Sequence, residues 1–223
     1  PNRGGVAGSR LPPMDPTTRI AAMQLSRMRG MTALYHKRFF FDINFTTALV
    51  VALFAIGWWQ VPEAFLLVPV VALMGAVATA FDSSYLTFAR WYAAYLERYL
   101  NERLGERIHV GSELEATYLF ELGTRKIVTI PLGGGFTWFS FVTAFYTLIG
   151  ALAFVFGIAL GWSTLTDAPT GIMVLYLVGV GGLTIGALVA GVWWFVVGEG
   201  ERRLAAVLEG RFGEQLGSSV DGV

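Results

Sequence analysis

Cysteine is missing from this 223-residue chain. Its absence excludes disulfide bonds, thiolate nucleophiles, cysteine-ligated zinc and iron–sulfur clusters. Charge is scarce too, since 14% of the residues are charged, against about 25% in a soluble domain. The two histidines, His36 and His109, are far apart, and no HExxH, GxSxG or P-loop spacing occurs. The sequence therefore predicts no catalytic residue, no metal site and no cofactor.

Long apolar stretches take up much of the chain. Each is long enough to cross a bilayer as a helix, which takes about 20 residues. We predict spans at 39–59, 64–81, 136–162 and 171–197. The fold class expected is an all-α membrane protein with four transmembrane helices arranged as two hairpins.

The sixteen Lys and Arg residues all flank the spans on one side. Seven precede the first span, six lie between the second and third, and three follow the fourth. None lies in the two short connections, 60–63 and 163–170. Loops that stay in the cytoplasm retain Lys and Arg. We therefore expect a multi-pass protein of the cell (inner) membrane with both termini in the cytoplasm.

This topology divides the chain into five parts. They are a basic cytoplasmic leader with an interfacial helix (1–38), the first transmembrane hairpin (39–82), a cytoplasmic helix and return loop (83–135), the second transmembrane hairpin (136–198) and a cytoplasmic tail (199–223). Within the tail, a brief amphipathic helix is predicted near its start and a loose end after it.

The leader should contain a helix over 16–38. Asp15 can cap it, and Pro16 suits its first turn. Basic residues alternate there with apolar ones. This pattern favours a helix on the inner leaflet that is attracted by anionic lipids. A docking helix for a protein partner is the alternative.

The second span has no helix stop at the membrane edge. We predict one helix from Ala64 to about Leu104, ended by Gly105, with its last half projecting into the cytoplasm. Pro69 should bend it. The return loop, 105–135, should contain either short strands or one short helix with an extended return. The candidate strands are 108–110, 118–122 and 126–130.

An aromatic face follows the predicted cytoplasmic half of the second helix. Its members recur at spacings of three and four, which places them on one side. Packing against the rest of the cytoplasmic region and contact with a protein partner are both consistent with it, since Tyr suits wet interfaces. The face is not basic enough for nucleic acid. Its residues are Tyr85, Phe88, Tyr92, Tyr95 and Tyr99.

Small and hydroxyl residues form one stripe on each of the last two spans. Such stripes permit close helix packing in lipid, within the chain or across a homo-oligomer axis. The hydroxyl groups are also candidates for lining a pore. The third span contributes Ser140, Thr143, Thr147, Gly150, Gly157 and Gly161, and the fourth contributes Gly179, Gly182 and Gly186.

Asp42 and Asp82 should lie level with each other at the inner membrane edge, because each is about eighteen residues from the first outer turn. Acids at such a depth are candidates for an ion site. The alternative is local ion pairing, with Arg38 one turn from Asp42 and Arg90 able to reach Asp82.

These patterns favour a non-catalytic membrane subunit. We expect it to assemble as a homo-oligomer or with other membrane subunits, through its small-residue stripes and its aromatic helix. The lipid bilayer is its other expected partner, and nucleic acid is not one. A small oligomeric ion channel lined by the third span is the alternative, and a membrane enzyme is the third candidate.

Overall fold

The computed structural model describes residues 15–133 and 135–217, with side chains as far as residue 210. It is 84% helical. Four of its helices are long and apolar enough to cross a membrane. This confirms the prediction of a helical chain with four apolar spans.

Helix α1 covers Pro16–Trp59, 44 residues without a break. The Asp15 side chain accepts a hydrogen bond from the Thr18 amide at 3.4 Å, which confirms the predicted cap. The leader segment 16–38 differs from the expected separate interfacial helix, because it is continuous with the first span. No proline interrupts α1 after Pro16, and the apolar residues of its start pack on the next long helix.

A 3₁₀ turn, Pro62–Leu66, leads into α2, Leu67–Leu104. Gly105 ends α2 with a φ of 68°, so the predicted stop is confirmed. The bend expected at Pro69 assumed that this residue lies inside the helix, and that assumption was wrong. Because α2 begins only at Leu67, Pro69 lies in the first turn, where its missing N–H removes no helical hydrogen bond.

Helices α1 and α2 lie side by side. Near the start of α1, Leu25 is buried together with Leu96 of α2. Near its end, Leu53 is buried together with Val68. Early residues of α1 thus contact late residues of α2, and late residues of α1 contact early residues of α2, so the two helices run antiparallel.

The segment after α2 folds into helix α3, Gly111–Tyr118, and two short antiparallel strands, β1, Lys126–Ile127, and β2, Ile130–Pro131. Ile127 lies opposite Ile130. Of the three candidate strands, only the segment 126–130 contributes to this pair. The segments 108–110 and 118–122 form no strand.

Helix α4 covers Trp138–Asp167 and helix α5 covers Thr170–Gly191. The predicted eight-residue link, 163–170, was wrong. Helix α4 continues to Asp167 because Leu165 is buried, at 2% exposure, and Thr166 donates its hydroxyl hydrogen to the Ser163 carbonyl. Only two residues then separate the helices.

A π-helical turn, Val192–Val196, follows α5, and helix α6 covers Glu199–Gly217. Gly198 makes the turn between them with a φ of 75°. Helix α6 is longer than the predicted brief helix, and it includes the start of the expected loose tail. The rest of that tail, 218–223, and the first part of the leader, 1–14, lie outside the described residues.

Candidate functional site

The start of α1, the second half of α2, the segment 106–133 and α6 meet at one end of the structure, called here the charged end. Arg29 of α1 forms ion pairs with Glu97 of α2 and Glu115 of α3. Glu97 also accepts a hydrogen bond from the Ser112 amide at 2.8 Å. One arginine therefore connects three helices.

Arg90 is the most deeply buried cation in the charged end, at 1% exposure. Its Nε donates to Glu115 Oε2 at 3.2 Å, and its Nη1 donates to the Phe120 carbonyl at 2.8 Å. The Phe120 ring centroid lies 4.5 Å from the Arg90 guanidinium carbon. A buried charge is tolerated only when paired and hydrogen-bonded, and these contacts supply that pairing.

Glu201 attaches α6 to the charged end. Its carboxylate pairs with Lys126, which is 2% exposed. It also accepts hydrogen bonds from Trp91 Nε1 at 3.1 Å and from the Gly123 amide at 2.7 Å. Burial lowers the pKa of Lys126, and the negative charge of Glu201 opposes that shift. One carboxylate therefore accepts from three donors and connects α6 to α2 and to the segment 106–133.

The chemistry of the charged end is that of a structural cluster. Its buried cations are matched by carboxylates or by backbone carbonyls. Within the part of the chain that the structure describes, no group of three or more His, Asp or Glu is placed to hold a metal ion.

The aromatic face of α2 makes its contacts within the chain. Tyr99 is buried in the cluster formed with the start of α1, and Phe88 and Tyr92 pack against the same cluster. Tyr85 stacks on Tyr35 of α1, with ring centroids 4.9 Å apart. The Tyr95 hydroxyl lies 3.2 Å from Glu209 of α6.

Asp42 and Asp82 are brought together where α1 and α2 cross the edge of the apolar region. Asp82 is 1% exposed, and Asp42 is its electrostatic neighbour. Arg38 Nε lies 3.8 Å from Asp82 Oδ1. The ion pairs differ from those considered from the sequence: Arg38 lies beside Asp82, while Arg90 pairs with Glu115.

The stripe on α4 packs partly against the 3₁₀ turn and the start of α2. A Cβ on Gly157 would lie 2.8 Å from Val68, and a Cβ on Gly161 would lie 2.6 Å from Leu66. Gly150 faces open space. The hydroxyl groups are bonded to carbonyls: Ser140 donates to Thr129, Thr143 to Phe139 and Thr147 to Thr143.

The stripe on α5 meets nothing in the described chain. No atom lies within 4 Å of a Cβ built on Gly179, Gly182 or Gly186. In the most apolar window of this fourth span, 6% of the residues are buried, against 22% in α1 and in α2. Among the residues of α5, only Val180 is buried. The helix therefore exposes a face that permits close packing.

No family model, no curated protein and no solved structure matches the chain. The four long apolar helices assign it to the class of helical membrane proteins.

Sequence reasoning missed the members of the charged cluster as a group. Arg29 and Glu97 are 68 residues apart, and Trp91 and Glu201 are 110 residues apart, so no local spacing connects them. One signal was available. Lys126 precedes the third apolar span and Glu201 follows the fourth, so opposite charges flank the same predicted hairpin and are candidates for a pair, since an unpaired charge near the membrane is costly.

Proposed function

We propose that this chain is a non-catalytic integral membrane protein that self-associates through the exposed small-residue face of α5. The observation that carries the proposal is the empty space beside Gly179, Gly182 and Gly186. In the proposed arrangement two antiparallel helix pairs cross the cell (inner) membrane, and the charged end lies in the cytoplasm with both termini.

A second copy of the chain is the proposed occupant of this face. Helix association in lipid depends on close backbone approach, and small residues four apart, as in Gly182 and Gly186, permit it between identical helices. No Asp, Glu, Lys or Arg occurs in α5, so two copies bring no like charges together. A two-fold axis along this face would pair each glycine with its counterpart.

The charged end supports the proposal in another way. Its aromatic residues and ion pairs are engaged within one chain, so it acts as a closed cap that holds α1, α2 and α6 together. The hydroxyls of α4 bond to carbonyls, so no specific observation favours a pore along that helix.

Self-association is tested by the mass of the purified protein in a mild detergent. Gly182→Ile fills the exposed face and should convert an oligomer into a monomer. Gly181→Ile is the matched control, because a Cβ on Gly181 also has no neighbour within 4 Å but Gly181 lies on a different face of the helix. An oligomer that survives Gly182→Ile and Gly186→Ile together would overturn the proposal, as would a wild-type monomer.

Orientation is tested by membrane-impermeant thiol labelling, for which the absence of native cysteine is convenient. A single cysteine replacing Asp167, the last residue of α4, should be labelled in intact cells. One replacing Arg107, an exposed residue of the charged end, should be labelled only after lysis. The reverse pattern would invert the topology.

A further inference from the structure

A groove of about 720 Å³ lies between the strand pair and the end of the fourth apolar span. Its polar side contains Glu121, Thr124 and Arg125, and its apolar side contains Leu132, Val196 and Val197. A volume of this size accommodates a small ligand or the polar head of a lipid.

The two charges in the groove differ from those around them. Lys126 and Arg90, close by in the fold, are buried and paired with carboxylates. Arg125 and Glu121 are exposed, and none of the ion pairs among the described side chains includes either of them. The groove thus presents a separate positive and a separate negative group.

The apolar side places this groove at a membrane boundary. Val196 and Val197 end the apolar stretch that starts in α5. Trp193 precedes them and is 46% exposed. Tryptophan side chains concentrate at the headgroup level. Acyl chains beside Val197 would therefore continue into the hydrocarbon region, while the charged groups remain at headgroup depth.

We propose that this groove binds a zwitterionic phospholipid with a primary ammonium headgroup, of the phosphatidylethanolamine type. The phosphate pairs with Arg125, because guanidinium matches phosphate oxygens in a bidentate geometry. The ammonium pairs with Glu121, and the acyl chains lie along Leu132, Val196 and Val197. The inference rests on the membrane placement of the chain and is independent of self-association.

The charge pattern distinguishes this lipid from its competitors. An anionic lipid such as phosphatidylglycerol satisfies Arg125 but leaves Glu121 facing a second negative group. Phosphatidylcholine carries a positive charge but no N–H to donate to a carboxylate. A soluble phosphoethanolamine lacks the chains that contact the apolar side.

The test uses full-length protein carrying Gly182→Ile, with its fold checked by circular dichroism, so that the outcome does not depend on oligomer formation. The protein is delipidated and transferred to nanodiscs with equal amounts of phosphatidylethanolamine, phosphatidylglycerol and phosphatidylcholine. Lipids that remain bound after extraction are counted by native mass spectrometry. We expect phosphatidylethanolamine to be retained roughly tenfold over either competitor, the ratio typical of one additional charge-assisted hydrogen bond.

Arg125→Gln and Glu121→Gln should each abolish most of that preference, while Arg125→Lys keeps part of it. Arg107→Gln is the matched control, because Arg107 is an exposed arginine outside the groove, and it should change nothing. Equal retention of phosphatidylglycerol would overturn the proposal. So would a preference unaffected by Arg125→Gln and Glu121→Gln in folded protein, or displacement of the lipid by soluble glycerophosphoethanolamine.

Discussion

The charged end and helix α5 differ in composition and in burial. The first contains buried, paired charges, and the second contains exposed apolar residues and glycines. In the charged end, Lys126 and Arg90 are buried, and each has a carboxylate partner within the same chain. In α5, apolar residues and glycines are exposed along nearly the whole helix. Charged groups can pair with one another within one chain. An exposed apolar helix in a membrane is instead covered by lipid or by another helix. The comparison identifies the charged end as the region with internal contacts and α5 as the helix with an exposed apolar face.

The largest expected effect is loss of the Glu201 carboxylate. Glu201→Ala leaves Lys126 buried without its partner and removes the acceptor for Trp91 and Gly123. Breaking a buried pair in this way costs about 3–5 kcal/mol. Thermal unfolding in detergent, followed by tryptophan fluorescence, should show a large drop in Tm.

Glu199→Ala is the matched control for that variant. Glu199 pairs with Arg202 and Arg203, both more than half exposed, and exposed pairs contribute little. We expect no measurable change in its Tm. Equal drops for Glu199→Ala and Glu201→Ala would mean that the buried pair does not hold the charged end.

The two small-residue stripes should respond differently to the same substitution. Gly157→Val inserts a side chain where a Cβ alone would lie 2.8 Å from Val68, so α4 must move away from α2. Overpacking of this kind typically costs about 1–3 kcal/mol. A Cβ on Gly182 has no atom of the described chain within 4 Å, and the Gly182→Val monomer should unfold at the wild-type temperature.

That contrast is measured on monomeric protein in detergent by thermal unfolding. A loss of monomer stability from Gly182→Val comparable to that from Gly157→Val would show that α5 packs within its own chain. The distinction between a packed stripe and an exposed one would then be lost.

The smallest expected effect is a pH dependence from Lys126. Burial lowers the pKa of Lys126 in the folded chain below its ordinary value of 10.5. Between the two pKa values the unfolded chain holds the proton and the folded chain has released it, so stability increases as the pH rises through that window. The Tm of the wild type relative to Lys126→Met should rise as the pH approaches 10.5 from below. A relative Tm that falls would contradict the assigned direction.

Local sequence patterns correctly predicted the apolar spans and several of the helix ends. The 44-residue α1 begins at its predicted cap, and α2 ends at Gly105. Local patterns failed where tertiary packing determines how far a helix extends. The start of α1 packs on α2 instead of forming a separate helix, and the burial of Leu165 extends α4 through the predicted link.

For the candidate sites too, local spacing predicted some features, while others depend on tertiary packing. The glycine stripes were visible from their spacing, but which of them is covered depends on how α4 crosses Val68 and Leu66. The pairing of Arg38 with Asp82 rather than Asp42 depends on side-chain placement across two helices. The groove beside Arg125 combines a loop with the π-helical turn after α5, and no periodicity in either segment predicts it.

Disulfide cross-linking in native membranes tests the assembly surface most directly. Because the chain contains no cysteine, each variant carries a single thiol. Oxidation of Gly186→Cys should yield a covalent dimer, because the proposed axis brings the two copies of this position together. Gly181→Cys, on a different face of α5, should remain monomeric. A dimer from Gly181→Cys and none from Gly179→Cys, Gly182→Cys or Gly186→Cys would contradict the assignment of this face.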